Sequence, residues 1–371
     1  MKFTVSSDEL KEKLVIASGA ISSSPVLPIL EDYLFNISAN KLIIMATDLD
    51  TSIVTELSVQ ADSEGSVAIP AKILLDTLKA LPTQPLTFTI DQDSFAVEIT
   101  TLNGQYKLAG ENGSDFPKTP VMDDVDSVKV RSSVLLSAIS KSLFAVSNDE
   151  MRPAMNGVYF QIDFNTLTFV ATDAHKLVRY TFNDVESSVN TSFIVPKKGL
   201  NLLKSALPAD ELITISFNKT NVFFEYEGVN LVCRLIDGRF PDYNAAIPQN
   251  NPNKMTIGRS ELQNTLKRIA IYANKTTNQV ALHITDGKLT VNAQDLDFSN
   301  EATEQLPCTL EGEPISIGFS AKFLAEILGV LDSDQVIFEL SVPSRAGLIL
   351  PTQNKPSEEL TMLLMPIMIN S

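Results

Sequence analysis

The sequence predicts an α+β fold made of antiparallel sheets and three copies of one domain. Two observations carry that reading: a long internal repeat, and a strand-rich hydrophobic pattern broken by six helical stretches. The repeat is clearest in a strand–turn–strand phrase, Thr168-Phe-Val-Ala-Thr-Asp-Ala-His-Lys-Leu-Val-Arg-Tyr180. An earlier copy reads Ile43-Ile-Met-Ala-Thr-Asp-Leu-Asp-Thr-Ser-Ile-Val54, and a worn third reads Leu289-Thr-Val-Asn-Ala-Gln-Asp-Leu-Asp297. Asp48, Asp173 and Asp295 therefore recur at offsets of 125 and 122 residues. A period this long is a whole domain, not a solenoid unit.

Other landmarks keep the period. The stretch from Val67 to Leu78 matches Phe193 to Leu203 and Ile317 to Leu328, each a short apolar strand running into a helix. Phe116-Pro117, Phe240-Pro241 and Met365-Pro366 close the copies, and Lys2, Lys129 and Met255 open them. The acidic segment Met122-Asp-Asp-Val-Asp126 and the polar segment Pro248-Gln-Asn-Asn-Pro-Asn-Lys254 read as linkers. The expected domains are 1–124, 125–253 and 254–371.

Within a copy the elements follow from periodicity. In the first, a strand at 3–5 leads to a helix that Ser7 is placed to cap, with Leu10, Leu14 and Ala17 on one face. Strands at 33–38, 41–46 and 52–59 follow. A second half-unit then repeats the plan: a strand at 66–69, Pro70, a helix at 71–80 with Leu74, Leu75 and Leu78 inward, and strands at 86–90, 96–100 and 105–109. The other copies place helices at 132–144, 197–206, 259–272 and 321–329. Each domain is thus two βαβββ half-units, with strands joined by short turns such as Asp286-Gly287.

The 371 residues, 44% hydrophobic and 20% charged, describe an ordinary globular chain long enough for several cores. The polar start and the lack of a long apolar run predict no secretory signal and no membrane span. Two cysteines, Cys233 and Cys308, form no disulfide framework and fit buried thiols in a cytoplasmic protein. The net charge of −16 argues against a nucleic-acid partner until its distribution is counted. The six helix windows hold twelve basic and six acidic residues, a balance of +6 that leaves −22 for the remainder. The helices are expected to share a surface facing a polyanion.

No P-loop, dinucleotide fingerprint or Cys/His metal spacing occurs, so no cofactor, metal or catalytic residue is expected. The only histidines are His175, a surface turn residue by its setting, and His283. The recurrent turn acids Asp48, Asp50, Asp173, Asp295 and Asp297 read as side-chain caps of their turns.

The stretches Ala171-Thr-Asp-Ala-His-Lys-Leu177, Ile194-Val-Pro-Lys-Lys-Gly199, Asp237-Gly-Arg-Phe-Pro-Asp-Tyr243 and Leu363-Leu-Met-Pro-Ile367 resemble the bacterial sliding clamp, the β subunit of DNA polymerase III. The resemblance covers the full length. It implies a half-ring of three clamp-like domains, with sheets outside and two helices per domain lining a lumen. Two chains close head-to-tail around double-stranded DNA, without sequence preference, and tether the replicative polymerase for processive synthesis. The implied partners are a second copy, the polymerase α subunit, the clamp loader, and other polymerases and repair proteins carrying a short peptide motif. No enzymatic step is implied.

By the resemblance, a hydrophobic peptide groove is lined by Met155, Thr172, Ala174, Leu177, Pro241, Ala246, Val342, Met365, Pro366 and Ile367, and edged by His175, Lys176 and Asn244. Lys11, Arg152, Lys197, Lys198 and Arg268 are expected to face the duplex. Tyr106, Leu108, Ile271 and Tyr272 are expected at the apolar centre of the dimer contact, the third-domain edge following the helix at Ile271-Tyr272. Lys72 and Lys107 are expected opposite Glu301 and Glu304. The chain departs from the family pattern at Ser24, at Pro153-Ala154, at Ala174-His175-Lys176 where Gly-His-Arg is usual, and at Asn244-Ala245-Ala246 where basic residues are usual. Its tail, ending at Ser371, runs slightly past the usual end. The competing readings are a scaffold with no DNA role, and an enzyme using Asp173, His175 or Arg239 between repeats.

Overall fold

The computed structural model describes residues 1–22 and 24–369. Two residues of the tail, 370 and 371, lie outside the described residues. The chain packs into two compact units, one of residues 1–133 with 198–235, the other of 134–197 with 236–371.

In the first unit a five-stranded sheet runs in the order Gln60–Ala61, Lys2–Ser6, Pro85–Ile90, Ala96–Thr100, Gln105–Ala109. A nine-stranded sheet runs Glu111–Asn112, Gly65–Pro70, Asp32–Ser38, Lys41–Thr47, Thr51–Ser58, Val229–Arg234, Asn221–Tyr226, Leu212–Phe217, Asp126–Arg131. Every pairing is antiparallel. The sheet begun by the first repeat is therefore continued by strands of the middle repeat, through Thr55↔Val229 to Thr51↔Cys233. Between the sheets Phe3 stacks on Phe88, ring centroids 4.8 Å apart, with Phe35 tilted beside both.

The second unit repeats the plan. Its nine-stranded sheet runs Thr191–Pro196, Gly157–Ile162, Leu167–Thr172, Lys176–Phe182, Glu358–Leu364, Gly347–Pro351, Gln335–Leu340, Asn253–Gly258, Thr309–Glu311. A four-stranded sheet runs Asn300–Pro307, Lys288–Asp295, Gln279–Thr285, Ile315–Ser320. Here the pairing of Lys176–Phe182 with Glu358–Leu364 joins the middle repeat to the chain's last strand.

The six expected helices form at Ser7–Ser18, Ala71–Ala80, Ser132–Ser142, Lys197–Ala206, Arg259–Ile269 and Ala321–Val330. Their buried positions fall at three- and four-residue spacing, as Leu10, Leu14 and Ala17, or Leu262, Leu266 and Ile269, because that spacing keeps one stripe against a sheet. The expected helices at 132–144 and 259–272 each end in a tighter 3-10 turn, Leu143–Ala145 and Ala270–Tyr272. Ser7 does not cap its helix: it is the first helical residue, and its buried hydroxyl donates to the Pro82 carbonyl and accepts from Gln84 N. Both cysteines are buried free thiols, and burial pushes the Cys233 thiol up to about 12.

Candidate partner groove and nucleic-acid face

The strand–turn–strand phrase that repeats in the sequence builds one side of the candidate groove. Strand Leu167–Thr172 is buried throughout, and the turn Asp173-Ala174-His175 stands clear of it. The turn is held by its own side chains. Asp173 Oδ1 accepts from His175 N and Lys176 N, both at 2.9 Å, and Thr172 Oγ1 accepts from Ala174 N at 3.1 Å. Asp48 and Asp295 act alike, Asp48 Oδ1 accepting from Asp50 N and Thr51 N and Asp295 Oδ1 from Asp297 N, whereas Asp50 and Asp297 enter these turns as backbone donors. Ala174 sits at φ +74°, the left-handed region that suits glycine, which accounts for the family's glycine at this place.

Across the sheet, Thr172↔Leu177, Leu177↔Leu363 and Leu363↔Leu348 lie in one row, so their side chains share a face. On this face Val170, Leu177, Ile194, Phe240, Ile247, Ala346, Leu348 and Leu363 form one apolar cluster. Tyr159 stacks on Phe240 at 4.8 Å, and Tyr243 tilts against Tyr159 with its hydroxyl donating to Gln161 Oε1 at 2.8 Å. The C-terminal segment crosses the turn: Met365 N donates to the His175 carbonyl at 2.8 Å. Two residues on, Ile367 N donates to Gly318 O, also at 2.8 Å.

The structure thus brings Leu177 into the cluster and Met365 onto the turn. Pro241, Asn244 and Ala246 sit on the segment that carries Phe240, Tyr243 and Ile247. Val342 accepts from Arg345 N in the turn before Ala346 and is 53% exposed. Met365, Ala174, His175, Asn244 and Ala246 are exposed, while Met155, Pro241, Pro366 and Ile367 are half-buried. Exposed Ala174, Ala246, Val342 and Met365 thus each lie within about four residues of a member of the packed apolar cluster, and exposed apolar side chains of this kind mark a candidate contact site. The sequence reading missed Tyr159, Val170, Tyr243, Ile247, Ala346 and Leu348. Strand geometry puts Val170, two residues before Thr172, on the same face; nothing in the local pattern marked the rest.

Lys176 does not edge the groove. It is 5% exposed, and its amine lies behind the turn, 2.7 Å from Asp173 Oδ2, 3.3 Å from Glu326 Oε2 and 4.1 Å from the Phe323 ring centroid. A lysine stem is long enough to reach back from an exposed turn to the helix Ala321–Val330, where acid and ring replace its water. Burial raises the Asp173 carboxyl, but the Lys176 amine and the two backbone N–H groups outweigh it, so its pKa lies below the usual range. His175 stacks on the same ring, centroids 5.9 Å apart.

The cations expected to face DNA are partnered within the chain. Lys11 pairs with Asp8 at 2.7 Å, Arg152 with Asp149 at 2.9 Å, and Lys198 with Asp48. Lys197 donates to Asn148 Oδ1 at 3.1 Å. Arg268 grips Glu304 with two nitrogens, at 2.8 and 2.5 Å. Lys141, counted among the basic helix residues, is buried between Asp332 and Glu358 and faces no polyanion.

The expected dimer edges also need correction. Gln105–Ala109 is an edge strand, with Tyr106 and Lys107 exposed and Leu108 half-buried. The strand following the Ile271-Tyr272 helix, Gln279–Thr285, is not an edge, because strands pair with it on both sides. The open edge of that sheet is Asn300–Pro307, which carries Glu301 and Glu304. Glu304 is already held by Arg268, and Lys107 by Glu98 at 3.4 Å, so neither is a vacant charge awaiting the other. Tyr106 and Lys72 line a hollow with Ile73, Thr77 and Leu81 on the helix Ala71–Ala80. Ile271 and Tyr272 are exposed.

Among the described residues no group of three or more His, Cys, Asp or Glu is placed to hold a metal, and no helix is long and apolar enough to cross a membrane.

Models of the N-terminal, central and C-terminal domains of the DNA polymerase III beta subunit match residues 1–120, 129–242 and 244–367. A beta sliding clamp of Vibrio cholerae is 29% identical over 369 residues, spanning 99% of this chain and 100% of that one. One of Synechococcus elongatus is 28% identical over 382 residues, spanning 100% of both. The solved sliding clamp of Bacillus subtilis superposes with a TM-score of 0.94 at 24% identity, covering 100% of both chains. The sliding clamp of Bartonella birtlesii bound to griselimycin superposes at 0.92 with 27% identity, again over 100% of both. Three like α+β domains with antiparallel sheets and paired helices define the clamp fold. The chain belongs to the DNA polymerase III beta subunit family, and its function is that of a DNA sliding clamp.

Proposed function

We propose that this chain is a processivity factor with no catalytic site of its own, working as a head-to-tail homodimer closed around duplex DNA in the cytoplasm. Its domains divide at 1–124, 125–253 and 254–371. The family-model spans 1–120, 129–242 and 244–367 support three domains and a first division near 125, while the third span begins at 244, ten residues before the proposed second division. The dimer forms where the open edge Gln105–Ala109 meets the open edge Asn300–Pro307 of a second copy, since uncapped edges seek a partner and a heterologous contact can close a ring. Lys11, Arg152, Lys197, Lys198 and Arg268 face the duplex and touch phosphate weakly, which suits a topological tether. The apolar patch around Leu177, Phe240, Ile247 and Leu363 takes a short peptide from the polymerase α subunit, the clamp loader, and other polymerases and repair proteins in turn. The methionines Met155 and Met365 fit that use, because a flexible thioether repacks around different ligands.

The observation that carries the partner site is the hydrogen bond from Met365 N to the His175 carbonyl, which holds the C-terminal segment against the turn next to cluster residues Leu177 and Leu363. Deleting residues 365–371 should abolish binding of a polymerase-derived peptide carrying a glutamine and apolar anchors, measured by calorimetry, while the dimer mass is unchanged. Retained peptide affinity in the truncated dimer would move the partner site elsewhere.

A further inference from the structure

We infer that the DNA-facing cations carry built-in counter-charges, and that Asp8, Asp48 and Asp149 set how weakly the chain holds phosphate. This rests on the reading that Lys11, Lys198 and Arg152 face the duplex. Each of the three is a solvent-exposed cation, its side chain 36 to 51% accessible, with one carboxylate of the same chain on it.

Each carboxylate has a further hydrogen bond besides its cation, and Asp48 is the most firmly held. Asp48 Oδ1 accepts from Asp50 N and Thr51 N, and its side chain is only 11% exposed. Asp149 Oδ1 accepts from Met151 N at 2.9 Å, and Asp8 accepts from the Thr83 hydroxyl. The Asp8 and Asp149 carboxyls both lie below the usual range, Asp8 chiefly through Lys11, Asp149 through Met151 N and then Arg152, so both stay charged at neutral pH. The long cationic side chains are the mobile partners. When one swings towards a phosphate its carboxylate stays in place, and the passing phosphate meets a pair of opposite charges instead of a lone cation.

An exposed pair is worth at most about 1 kcal/mol, so it does not lock the cation away. It does reduce the net charge offered to DNA, and a cation already paired releases fewer counterions on binding. A ring that must slide gains from contacts of this kind, which are weak, similar at every base pair and quickly exchanged. Of the three pairs, Lys198 with Asp48 is the one that lowers the basic balance counted for the helices, since Asp48 lies outside them.

The test uses the full-length dimer and a short labelled duplex, with anisotropy read over a potassium chloride titration. Asp8→Asn, Asp48→Asn and Asp149→Asn each remove charge and keep an oxygen acceptor for the backbone caps. Each should tighten binding severalfold at low salt and steepen the slope of log K against log salt by about 0.9, one released counterion per uncovered cation. The effect should need the paired cation: Asp149→Asn should change little in an Arg152→Gln background. Unchanged slopes, or a gain that persists without Arg152, would overturn the inference. If neutralising Lys197 and Lys198 flattens the slope while the acid variants do nothing, the DNA-facing reading stands and the counter-charge inference falls. If neither set moves the slope, both fall.

Discussion

Replacing Lys176 by methionine tests the corrected account of the groove. The wild-type amine sits 2.7 Å from Asp173 and 3.3 Å from Glu326, over the Phe323 ring, in a place almost closed to water. Removing one partner of a fully buried pair costs about 3–5 kcal/mol, because the other charge is left without compensation. Two features lower that here. The Asp173 and Glu326 side chains keep 16% and 32% exposure, and the methionine stem retains the ring contact. The expected loss is about 2–3 kcal/mol, read from urea denaturation at neutral pH. A Lys176→Met/Glu326→Gln double variant should recover part of it, with a coupling of about 1 kcal/mol. The pH dependence follows from the Asp173 shift. Its folded pKa lies below the unfolded value, so its stabilisation is present above the ordinary carboxyl range and is lost as pH falls through the folded value. The gap between wild type and variant should therefore close on acidification. A loss under about 0.5 kcal/mol, or a gap that persists unchanged into acid, would refute the buried role of Lys176.

Three further outcomes are expected. Asp32 is buried without a cation, and burial first, then the charges of Glu111 and Glu31, push its pKa to about 6. The folded state then holds a proton the unfolded state has lost, so stability falls as pH rises from about 4 to 6; Asp32→Asn should stabilise by up to about 3 kcal/mol at pH 7 and by nothing below pH 4 in urea titrations. Charge placed at Leu108, on the open edge Gln105–Ala109, should yield monomers by light scattering, and an intact dimer would exclude that edge. Alanine at Lys197 and Lys198 together should weaken duplex binding and flatten its salt dependence, and an unchanged slope would take both lysines off the DNA face.

The helices were legible because an amphipathic stripe is a local pattern: Leu74, Leu75 and Leu78 need only the sheet beneath them, whichever sheet it is. The turn caps were legible for the same reason, since Asp173 reaches no further than Lys176 N. The groove was legible only in part. Leu177 and Met365 stood out through the resemblance, whereas Ile247, Ala346 and Tyr159 are brought together by pairings that span most of the chain's second half. Lys176 and Lys141 were misjudged together. A lysine is solvated by default, and the acids that bury these two, Glu326 for one and Asp332 with Glu358 for the other, are 150 or more residues away.

What the sequence determined by itself is the repeated unit: its strands, its two helices and its turns. Each depends on neighbours within one copy, so three copies spell the same answer three times. What only the tertiary structure decided is how the copies share sheets and where charges end. Strand Lys176–Phe182 finds Glu358–Leu364, and Val229–Arg234 finds Thr51–Ser58, because an open strand edge pairs with whichever edge the packed helices bring beside it. The same closure carries Met365 to His175 and Glu326 to Lys176, and so joins segments that are unremarkable alone.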